Sequence, residues 1–447
     1  MNPLTQSKIF KKIAILPLLI ALALLVRPAP AAAQANEVTH WNEIALSTIM
    51  AFPPAAGFGT ALQVNMAMTQ GAVYDALNAI EPRYQPYLLQ TRFDPSASKE
   101  AAAATAAYRI LSNIVSTVPE NIVFDRASLL QRLTTEYNNS LNGIPPGPRD
   151  AGIAAGNAAA DAMIAARHGE DFCPCEDGRF GPSPWVPNYE PGHWQPLLDP
   201  NGNPILDPAP WVANVRPFLI QSSSQFRTDG PNALTSTAYS EDFNEVKALG
   251  SMNSTARTPE QTHIAIFWVG AGGPLWNAVA RNLIADPQYA VDIVDSALLF
   301  AMMNLSAADA VINCWNDKYY WDFWRPWTAI QRAAEDGNPD TEPDPSWTSL
   351  VTAPYPEHTS GHLTFDGAHL EVLKMFFGTN QIRFGVTSLR FPNEPPRYFD
   401  RFSDALNEII DARVYAGLHF RTADIQGRIL GRKVAHYMAR HYFQPLR

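Results

Sequence analysis

Apolar residues recur at steps of three and four along most of the chain, which is the spacing of one face of an α-helix. The pattern is clearest in four segments, several of which begin at a Ser, Thr, Asp or Pro that suits a helix start: residues 62–80, 98–116, 149–169 and 258–270. Strand-like alternation of apolar and polar residues is scarce. The pattern therefore predicts an all-α protein.

The helical pattern stops between Cys173 and about Asn232, where Pro, Trp, Asn and Gly dominate the sequence. Repeated prolines exclude a long helix in this region, which we call the Pro/Trp-rich segment (about residues 173–232). Irregular stretches of this length are usually functional or wrap around the body of a protein. Because the segment contains tryptophans, we expect it to pack onto the helices.

The first residues have the pattern of a signal peptide. Lys8, Lys11 and Lys12 precede an apolar run of 14 residues, 13–26, and the small residues of "RPAPAAAQA" follow it. The run is shorter than the roughly 20 residues of a membrane-spanning helix, although an uncleaved anchor stays open as an alternative. We expect residues 1–35 to be removed on export to the periplasm or the medium. No later segment is expected to be long and apolar enough to span a membrane.

Composition and charge narrow the class of protein. The 447 residues are 46% hydrophobic and 17% charged, with 11 Trp, 15 Tyr and 22 Phe, which is enough for a large buried core. A net charge of -10 and a sequence pI near 5.5 disfavour binding to nucleic acid or to an anionic membrane surface. An anionic ligand would need a local basic pocket.

The three cysteines do not have the pattern of a metal site. Cys173 and Cys175 lie in the Pro/Trp-rich segment, Cys314 lies in a predicted aromatic helix, and no second Cys/His pair has zinc-site spacing. We expect a loop disulfide or unreactive thiols.

Residues 318–326, "KYYWDFWRP", which we call the Lys-Arg motif, place Lys318 and Arg325 seven positions apart. On a continuous helix this spacing puts both side chains on one face, about 10 Å apart along the axis. Pro326 would then disturb or end the helix. Isolated cations are often only solvated surface charges, but the surrounding aromatic residues favour burial: Tyr319, Tyr320, Trp321, Phe323 and Trp324.

The stretch "YPEHTSGHLTF", residues 355–365, leads into an apolar helical pattern and contains what we call the Ser-Gly-His motif. Ser360 and Gly361 would present a hydroxyl and free backbone N–H groups at the helix start, which is a ready anion site. His362 follows them and could donate or accept a proton at a bound anion. A capping or surface histidine is the simpler alternative.

The stretch "ARVYAGLHFRTAD" contains Arg413 and His419, which we call the Arg-His motif. Six residues of continuous helix turn through about 600°, so the two side chains would point to different faces. We therefore predict that the helix ends near Gly417 and that the chain returns His419 to the pocket of Arg413. Asp424 or a backbone carbonyl would orient the imidazole. A core histidine bonded to the backbone is the alternative.

These three motifs, in this order, resemble the signature shared by vanadium-dependent haloperoxidases and type 2 phosphatidic acid phosphatases. Each motif is weak alone, but the ordered triple with its internal spacings is specific. The wider sequence, including the Pro/Trp-rich segment, is similar to the bacterial haloperoxidase-like branch. The signature covers roughly the last 130 residues and falls on these positions: Lys318, Arg325, Pro326, Ser360, Gly361, His362, Arg413 and His419.

The resemblance implies a vanadate cofactor in a buried oxyanion site between two packed helical bundles. His419 would bind vanadium, and His362 would be the acid/base for hydrogen peroxide. Lys318 would also polarise the peroxide, which a halide attacks to give hypohalous acid. Charge-assisted hydrogen bonds to the vanadate oxygens would come from Lys318, Arg325, Ser360, the Gly361 N–H and Arg413.

The expected organisation is a signal peptide (1–35), an N-terminal helical half (36–250) with the Pro/Trp-rich segment, and a C-terminal helical half (251–447) with the site. The expected partners are small molecules, namely hydrogen peroxide, a halide and an organic acceptor, without nucleic acid and without stable membrane insertion of the mature chain. Halide preference and oligomeric state, including a homo-oligomer, stay open.

An acid phosphatase of the same superfamily is the first alternative, because phosphate and vanadate are both tetrahedral oxyanions. Such an enzyme needs no vanadate; His419 would attack phosphorus and His362 would protonate the leaving group. In these phosphatases an aspartate lies four residues after the second histidine, but here Ala423 precedes Asp424, which disfavours this activity. Thr359 replaces a proline that often precedes Ser-Gly-His.

A non-catalytic oxyanion-binding protein is the second alternative, which the two histidines disfavour because binding alone needs only cations and donors. Other residues near the motifs carry weaker expectations. Tyr355 could line a halide pocket or pack in the core, and His369 is expected to pack within its helix. His358 and Glu357 are expected to face solvent.

Overall fold

A computed structural model describes residues 36–53, 60–167, 186–270, 272–289 and 291–446. The predicted signal peptide lies outside these residues, and so do Cys173 and Cys175 with the expected loop disulfide. Cys314 is a free thiol buried in the core.

The chain is mostly helical, with 57% helix, so the predicted all-α class is confirmed. The N-terminal half contains α1 (Glu37–Met50), α2 (Thr60–Ile80), α3 (Lys99–Thr117), α4 (Arg126–Leu141), α5 (Pro146–Ala166) and α6 (Thr237–Leu249). The C-terminal half contains α7 (Pro259–Phe267), α8 (Gly273–Ile284), α9 (Ile293–Trp321), α10 (Pro326–Gln331), α11 (Gly361–Phe377), α12 (Phe402–Tyr415) and α13 (Arg421–His441). The four segments predicted from the apolar pattern are α2, α3, α5 and α7.

Among the described residues, the strands β1 (Phe384–Val386) and β2 (Arg397–Phe399) form one short antiparallel pair between α11 and α12. Short 3₁₀ helices lie at Pro210–Asn214 and Ala333–Glu335.

Capping residues explain where several helices begin. Ser98 accepts a hydrogen bond from the backbone N–H of Ala101 at the start of α3, and Thr258 forms a capping box with Gln261 at the start of α7. These contacts satisfy backbone N–H groups that have no partner inside the helix. Pro146 begins α5, a position where the N–H that proline lacks would have no partner inside the helix.

The longest described helix, α9, lies at the centre of the molecule and packs against α2, α11 and α13. By length and composition α9 could cross a membrane, so the expectation that no later segment has this character is wrong for α9. Of its apolar window, 94% is buried inside the protein. A long apolar helix covered in this way by other helices serves as the core of the fold.

One face of α9 anchors the Pro/Trp-rich segment. Asp309, Asn313 and Asp317 are spaced by four residues and therefore lie on one helical face. The Asp309 carboxylate accepts hydrogen bonds from the backbone N–H groups of three consecutive residues, 218–220, and Asn313 and Asp317 accept from those of Phe226 and Thr228. Buried backbone N–H groups outside regular structure need such partners.

The same segment also buries apolar side chains. Trp194 and Trp211 are 1% and 3% exposed. The described part of the Pro/Trp-rich segment therefore wraps onto the helices, as predicted from its tryptophans.

The main hydrophobic core is continuous across both halves of the chain and includes Trp41 and Leu305. A second, smaller cluster contains Trp324 and Phe420 and lies beside the Lys-Arg and Arg-His motifs. The predicted division of the chain at residue 250 stays a prediction.

We predict that Asp309→Asn lowers the free energy of unfolding by about 1.5–3 kcal/mol, the range for hydrogen bonds to a charged group. The amide keeps only one acceptor oxygen. Its NH₂ group would face a backbone N–H group that needs an acceptor, and the negative charge that strengthens the other hydrogen bonds is lost. Burial raises the pKa of Asp309 to about 6, so urea unfolding should be followed at pH 8, where the carboxylate is ionised. The control is Asp94→Asn, at an exposed carboxylate bonded only within its own turn. Equal stability of the two variants would contradict the anchoring role.

Candidate oxyanion site

The Lys-Arg motif does not lie on one helix. Helix α9 ends at Trp321, Asp322 has a left-handed conformation (φ 47°), and Pro326 is the first residue of α10. The prediction that Lys318 and Arg325 share a helical face is therefore wrong, because a left-handed residue cannot continue a right-handed helix. The chain turns between the two cations, and both side chains are fully buried.

Backbone carbonyl groups hold these two cations. Lys318 Nζ donates to the carbonyls of residues 356 and 357 at 2.9 and 3.0 Å. Arg325 Nε donates to Tyr355 O at 2.9 Å and Nη1 donates to Leu418 O at 2.7 Å. These neutral partners satisfy N–H groups without cancelling the charge. Burial accordingly lowers the pKa of Lys318 to about 8 and also lowers the pKa of Arg325.

Tyr355 lies between the two cations. Its ring centroid is 5.2 Å from Lys318 Nζ and 5.2 Å from Arg325 Cζ, and the ring also contacts Trp315. The negative face of an aromatic ring attracts a cation at this distance. Tyr355 is therefore partly buried, packs against the core and stabilises the charges beside it; its predicted halide contact stays a prediction.

The Ser-Gly-His motif lies at a helix start, as predicted. Ser360 is the N-cap of α11 but makes no capping hydrogen bond with its side chain. A Cβ atom on Gly361 would lie 2.9 Å from the Trp315 ring, so glycine lets the helix start approach α9 closely. Ser360 Oγ has no hydrogen-bond partner among the described residues, although it lies near the Asp424 carboxyl. His362 Nε2 is buried and also unpartnered among those residues.

The Arg-His motif is split by a helix end, again as predicted. Helix α12 ends at Tyr415, and Gly417 takes a left-handed conformation (φ 71°) that turns the chain. The turn packs directly on the backbone of Gly250, so closely that a Cβ atom on either glycine would lie 2.5–2.6 Å from the other's backbone. His419 comes back into the interior and is 4% exposed.

The three motifs meet in one place. His419 Nε2 lies 3.3 Å from Arg325 Nη1. Burial and the nearby Arg325, Lys318 and Arg413 hold the pKa of His419 well below its usual range. Burial, Arg413 and Lys318 do the same to the pKa of His362. Side chains that influence each other in this way share one buried, positively charged cluster.

Several donors in this cluster have no partner. Arg325 Nη2 and Arg413 Nε are buried without a hydrogen bond to the described residues, and Arg413 Nη1 makes one long contact of 3.4 Å with Trp268 O. Within the described parts of the chain, Lys318, Arg325 and Arg413 form no salt bridge to an acidic side chain. Unpaired charged donors in a protein interior are costly, and an anion in this cluster would supply the missing acceptors.

Glu357 is a functional candidate that the sequence interpretation missed. It is 1% exposed, and its Oε1 accepts hydrogen bonds from His419 Nδ1 at 2.9 Å and from Phe420 N at 3.0 Å. The expectation of a solvated Glu357 is wrong, and so is the expectation that Asp424 or a backbone carbonyl orients His419. A usable signal was present: Glu357 is the sole acidic residue in 355–365, and a ligating imidazole usually has an orienting partner.

The other carboxyl groups at the site are buried as well. Burial raises the pKa of Glu357 and of Asp366 to about 8, and that of Asp424 well above its usual value. Asp366 accepts a hydrogen bond from Trp276 at 2.6 Å. Asp424 lies close enough to Arg413 to be its main negative neighbour without forming a salt bridge.

Two further histidines are placed outside the cluster. His358 was expected to face solvent but is 1% exposed, because its Nε2 is within 3.1 Å of the Thr228 hydroxyl in the Pro/Trp-rich segment. His369 is fully buried in α11, two turns after His362, as its predicted packing role requires.

The residues fit a tetrahedral oxyanion such as vanadate. Among the described residues, no group of three or more His, Cys, Asp or Glu side chains is placed to hold a metal ion. Vanadate bound by one imidazole does not need such a group, since its oxygens are held by cations and N–H donors. The unpaired atoms of Arg325, Arg413 and Ser360 provide that donor set.

A mostly helical fold thus surrounds a buried cluster of cations with unpaired donors. Residues 298–447 match the family described as the VCPO second helical-bundle domain. The predicted resemblance to the vanadium-dependent haloperoxidase superfamily is thereby confirmed.

Similarity to individual proteins points the same way. The chain is 25% identical over 308 residues to the vanadium chloroperoxidase of Curvularia inaequalis, covering 52% of this chain and 50% of that protein. The chain thus spans about half the length of this curated relative. The fold is similar to a bacterial vanadium-dependent iodoperoxidase, with a TM-score of 0.71, 22% identity, and 91% and 97% of the two chains covered. A bacterial vanadium-dependent chloroperoxidase has a TM-score of 0.68 at 17% identity, with 91% and 98% covered.

We predict that oxyanion affinity falls as the pH rises above about 8. Sulfate is a suitable probe because its own charge is constant in this range. Lys318 is positively charged only while its amine is protonated. Because its pKa is about 8, this charge is lost within the pH range of the measurement. Affinity should fall by up to about tenfold per pH unit above the pKa, as measured by calorimetry from pH 6 to 10.

Lys318→Met should bind sulfate more weakly and should lose the part of this pH dependence that comes from Lys318; the remaining part comes from Glu357 and Asp366, whose pKa values are also about 8. The matched control is Lys374→Met, since Lys374 is exposed on α11 and pairs with Glu371. A parent protein whose sulfate affinity is constant up to pH 10 would contradict the assignment of Lys318 to the anion site.

Proposed function

We propose that this protein is a vanadium-dependent haloperoxidase that oxidises a halide with hydrogen peroxide to hypohalous acid. The observation that supports it most is the buried cluster of Lys318, Arg325 and Arg413, which lacks salt bridges within the described chain and has unpaired donors. The similarity to vanadium chloroperoxidase and iodoperoxidase also supports a haloperoxidase.

In this proposal His419 Nε2 binds vanadium, and Lys318, Arg325 and Arg413 neutralise the vanadate oxygens. Ser360 Oγ and the Gly361 N–H complete the contacts. Bound vanadate supplies Lewis-acid activation of hydrogen peroxide toward the halide.

His362 has the properties of the proton-transfer residue. Its Nε2 is unpartnered in the described structure and its pKa is held well below the usual range by burial, Arg413 and Lys318. The imidazole is therefore neutral and able to accept a proton. An oxyanion near the same cations offsets their effect, so its binding raises the pKa of His362 toward the range useful for general base catalysis.

Lys318 remains protonated at neutral pH, because its pKa of about 8 lies above it. Its ammonium group can therefore donate a hydrogen bond to a peroxide oxygen while also compensating the oxyanion charge. Removing Lys318 should affect both binding and turnover.

Phosphomonoester hydrolysis is the second candidate function, and the His419–Glu357 contact favours it. A nucleophilic histidine needs a carboxylate on Nδ1 so that Nε2 keeps its lone pair. In the sequence, the acidic residue expected at position 423 is found one residue later, at Asp424, and this difference disfavoured a phosphatase. Glu357 supplies a carboxyl oxygen at Nδ1 from another part of the chain, so this objection no longer separates the two activities.

One set of assays tests both functions. The purified protein is incubated with orthovanadate, hydrogen peroxide and bromide, and halogenation of a phenol dye is followed; phosphomonoester hydrolysis is measured without vanadate. The proposal expects halogenation that depends on vanadate. Hydrolysis without halogenation would make the phosphatase the function, and tight oxyanion binding without either activity would indicate a binding protein.

We predict that His362→Ala retains vanadate but lowers the rate of bromide oxidation by about 10²- to 10⁴-fold, the typical contribution of a general acid/base. The cations and the Gly361 N–H still bind the anion. The control is His369→Ala, which removes a fully buried imidazole from the same helix and should leave the rate per folded molecule unchanged. Equal rates for the two variants across the pH range would show that His362 moves no essential proton.

We further predict that His419→Ala loses stoichiometric vanadium while the fold is kept, because the imidazole supplies the protein's direct bond to vanadium. Metal analysis after gel filtration measures the vanadium, and circular dichroism checks the helices. Phosphate should still bind to the cations and should displace vanadate from the parent. Vanadium retained by the variant at the parent ratio would place the ligand elsewhere.

A further inference from the structure

Glu357 lies three residues before Ser360 and contacts both of the other motifs. Its backbone N–H donates to Phe323 O at 2.9 Å, and its carbonyl accepts from Lys318 Nζ at 3.0 Å, so its main chain is fixed to the Lys-Arg motif. Its side chain accepts from His419 Nδ1 and from the backbone N–H of Phe420. The carboxylate therefore connects the loop before α11 to the turn that carries His419.

The contacts on the two ring nitrogens of His419 specify one tautomer. Arginine can only donate hydrogen bonds, so the Arg325 Nη1 contact at 3.3 Å requires a lone pair on Nε2. The proton of the neutral imidazole then resides on Nδ1, where Glu357 Oε1 accepts it at 2.9 Å. Because the two side chains are only 5% and 1% exposed, water does not compete for these contacts.

We infer that Glu357 is the positioning residue of the site: it fixes His419 in the Nδ1–H tautomer with the Nε2 lone pair directed into the cation cluster. This inference rests on the proposed function for its consequence, since only an unprotonated Nε2 can bind vanadium or attack phosphorus. A glutamate ahead of the Ser-Gly-His motif thus takes the orienting role that was expected of Asp424, after the second histidine.

The surroundings of Glu357 allow a conservative test. Its Oε2 has no partner among the described residues. Beside the carboxyl is a small cavity of about 10 Å³, close to the space that one water molecule needs, lined among others by Tyr239, Asp242 and His358. In Glu357→Gln the carbonyl can accept from His419 and Phe420, while the NH₂ group takes the place of Oε2. Glu357→Ala removes the acceptor but keeps the backbone contacts of residue 357.

The direct test is the protonation pattern of His419 in protein labelled with ¹⁵N-histidine, without vanadate. The His419 signals are identified by their absence in His419→Gln. The parent and Glu357→Gln should show a protonated Nδ1 and an unprotonated Nε2. Glu357→Ala should show a detectable fraction protonated on Nε2, or signals broadened by exchange between tautomers. A sharp, unchanged Nδ1–H pattern in Glu357→Ala would overturn the inference.

Oxyanion binding supplies the second readout. Loss of a residue that orients a metal ligand typically lowers metal affinity by 10- to 100-fold, so Glu357→Ala should lose that much vanadate affinity while Glu357→Gln stays near the parent. Phosphate binds through the cations without a bond to His419, so its affinity should be unchanged or higher in both variants. Equal losses for vanadate and phosphate would indicate general damage to the site and would also contradict a positioning role.

These readouts separate the inference from the proposed function. A parent protein that binds phosphate but not vanadate would remove the haloperoxidase proposal, whereas the histidine spectra would still decide the role of Glu357. Conversely, full haloperoxidase activity with an unaltered tautomer in Glu357→Ala would keep the function and remove the inference.

Discussion

The burial of three like charges is the constraint on which the site depends. Moving each cation out of water costs several kcal/mol even in a real protein, and Lys318, Arg325 and Arg413 also repel one another. The protein offsets part of this cost with backbone carbonyls from the loop before α11 and from the turn after α12. A bound oxyanion would offset more of this cost, even though the whole chain is negatively charged.

Helix α9 connects this cluster to the rest of the fold. Asp317 anchors the Pro/Trp-rich segment, and the next residue, Lys318, turns into the cation cluster. Adjacent residues of one helix thus serve the wrapping segment and the site. Thr228 of the Pro/Trp-rich segment also contacts His358. His358 belongs to the loop that supplies carbonyl groups to Lys318, so this loop helps to fix the position of the segment. A disturbance of the wrapping segment would therefore change the electrostatics of the site without direct contact.

Much of the fold and part of the site follow from local sequence rules. The apolar period predicts α2, α3, α5 and α7, and the helix end at Gly417 is predictable because glycine accepts a positive φ. The break after Trp321 was missed because Asp322 adopts a left-handed conformation that its sequence context does not require. The burial of Glu357 and His358 was missed for a different reason: loop residues become buried only through contacts with distant segments, here the turn at His419 and the Pro/Trp-rich segment.

The contact between Gly417 and Gly250 extends the set of positions that matter for the chemistry. The two backbones touch with no room for a side chain, and Gly250 is the residue that ends α6. A methyl group at residue 250 would push the turn outward and carry the imidazole with it, although residue 250 touches neither the cations nor the histidines. Misplacing a reacting group by about 1 Å can cost about 10²-fold in rate. A side chain at either position of this remote pair would thus shift His419 as well as lower stability.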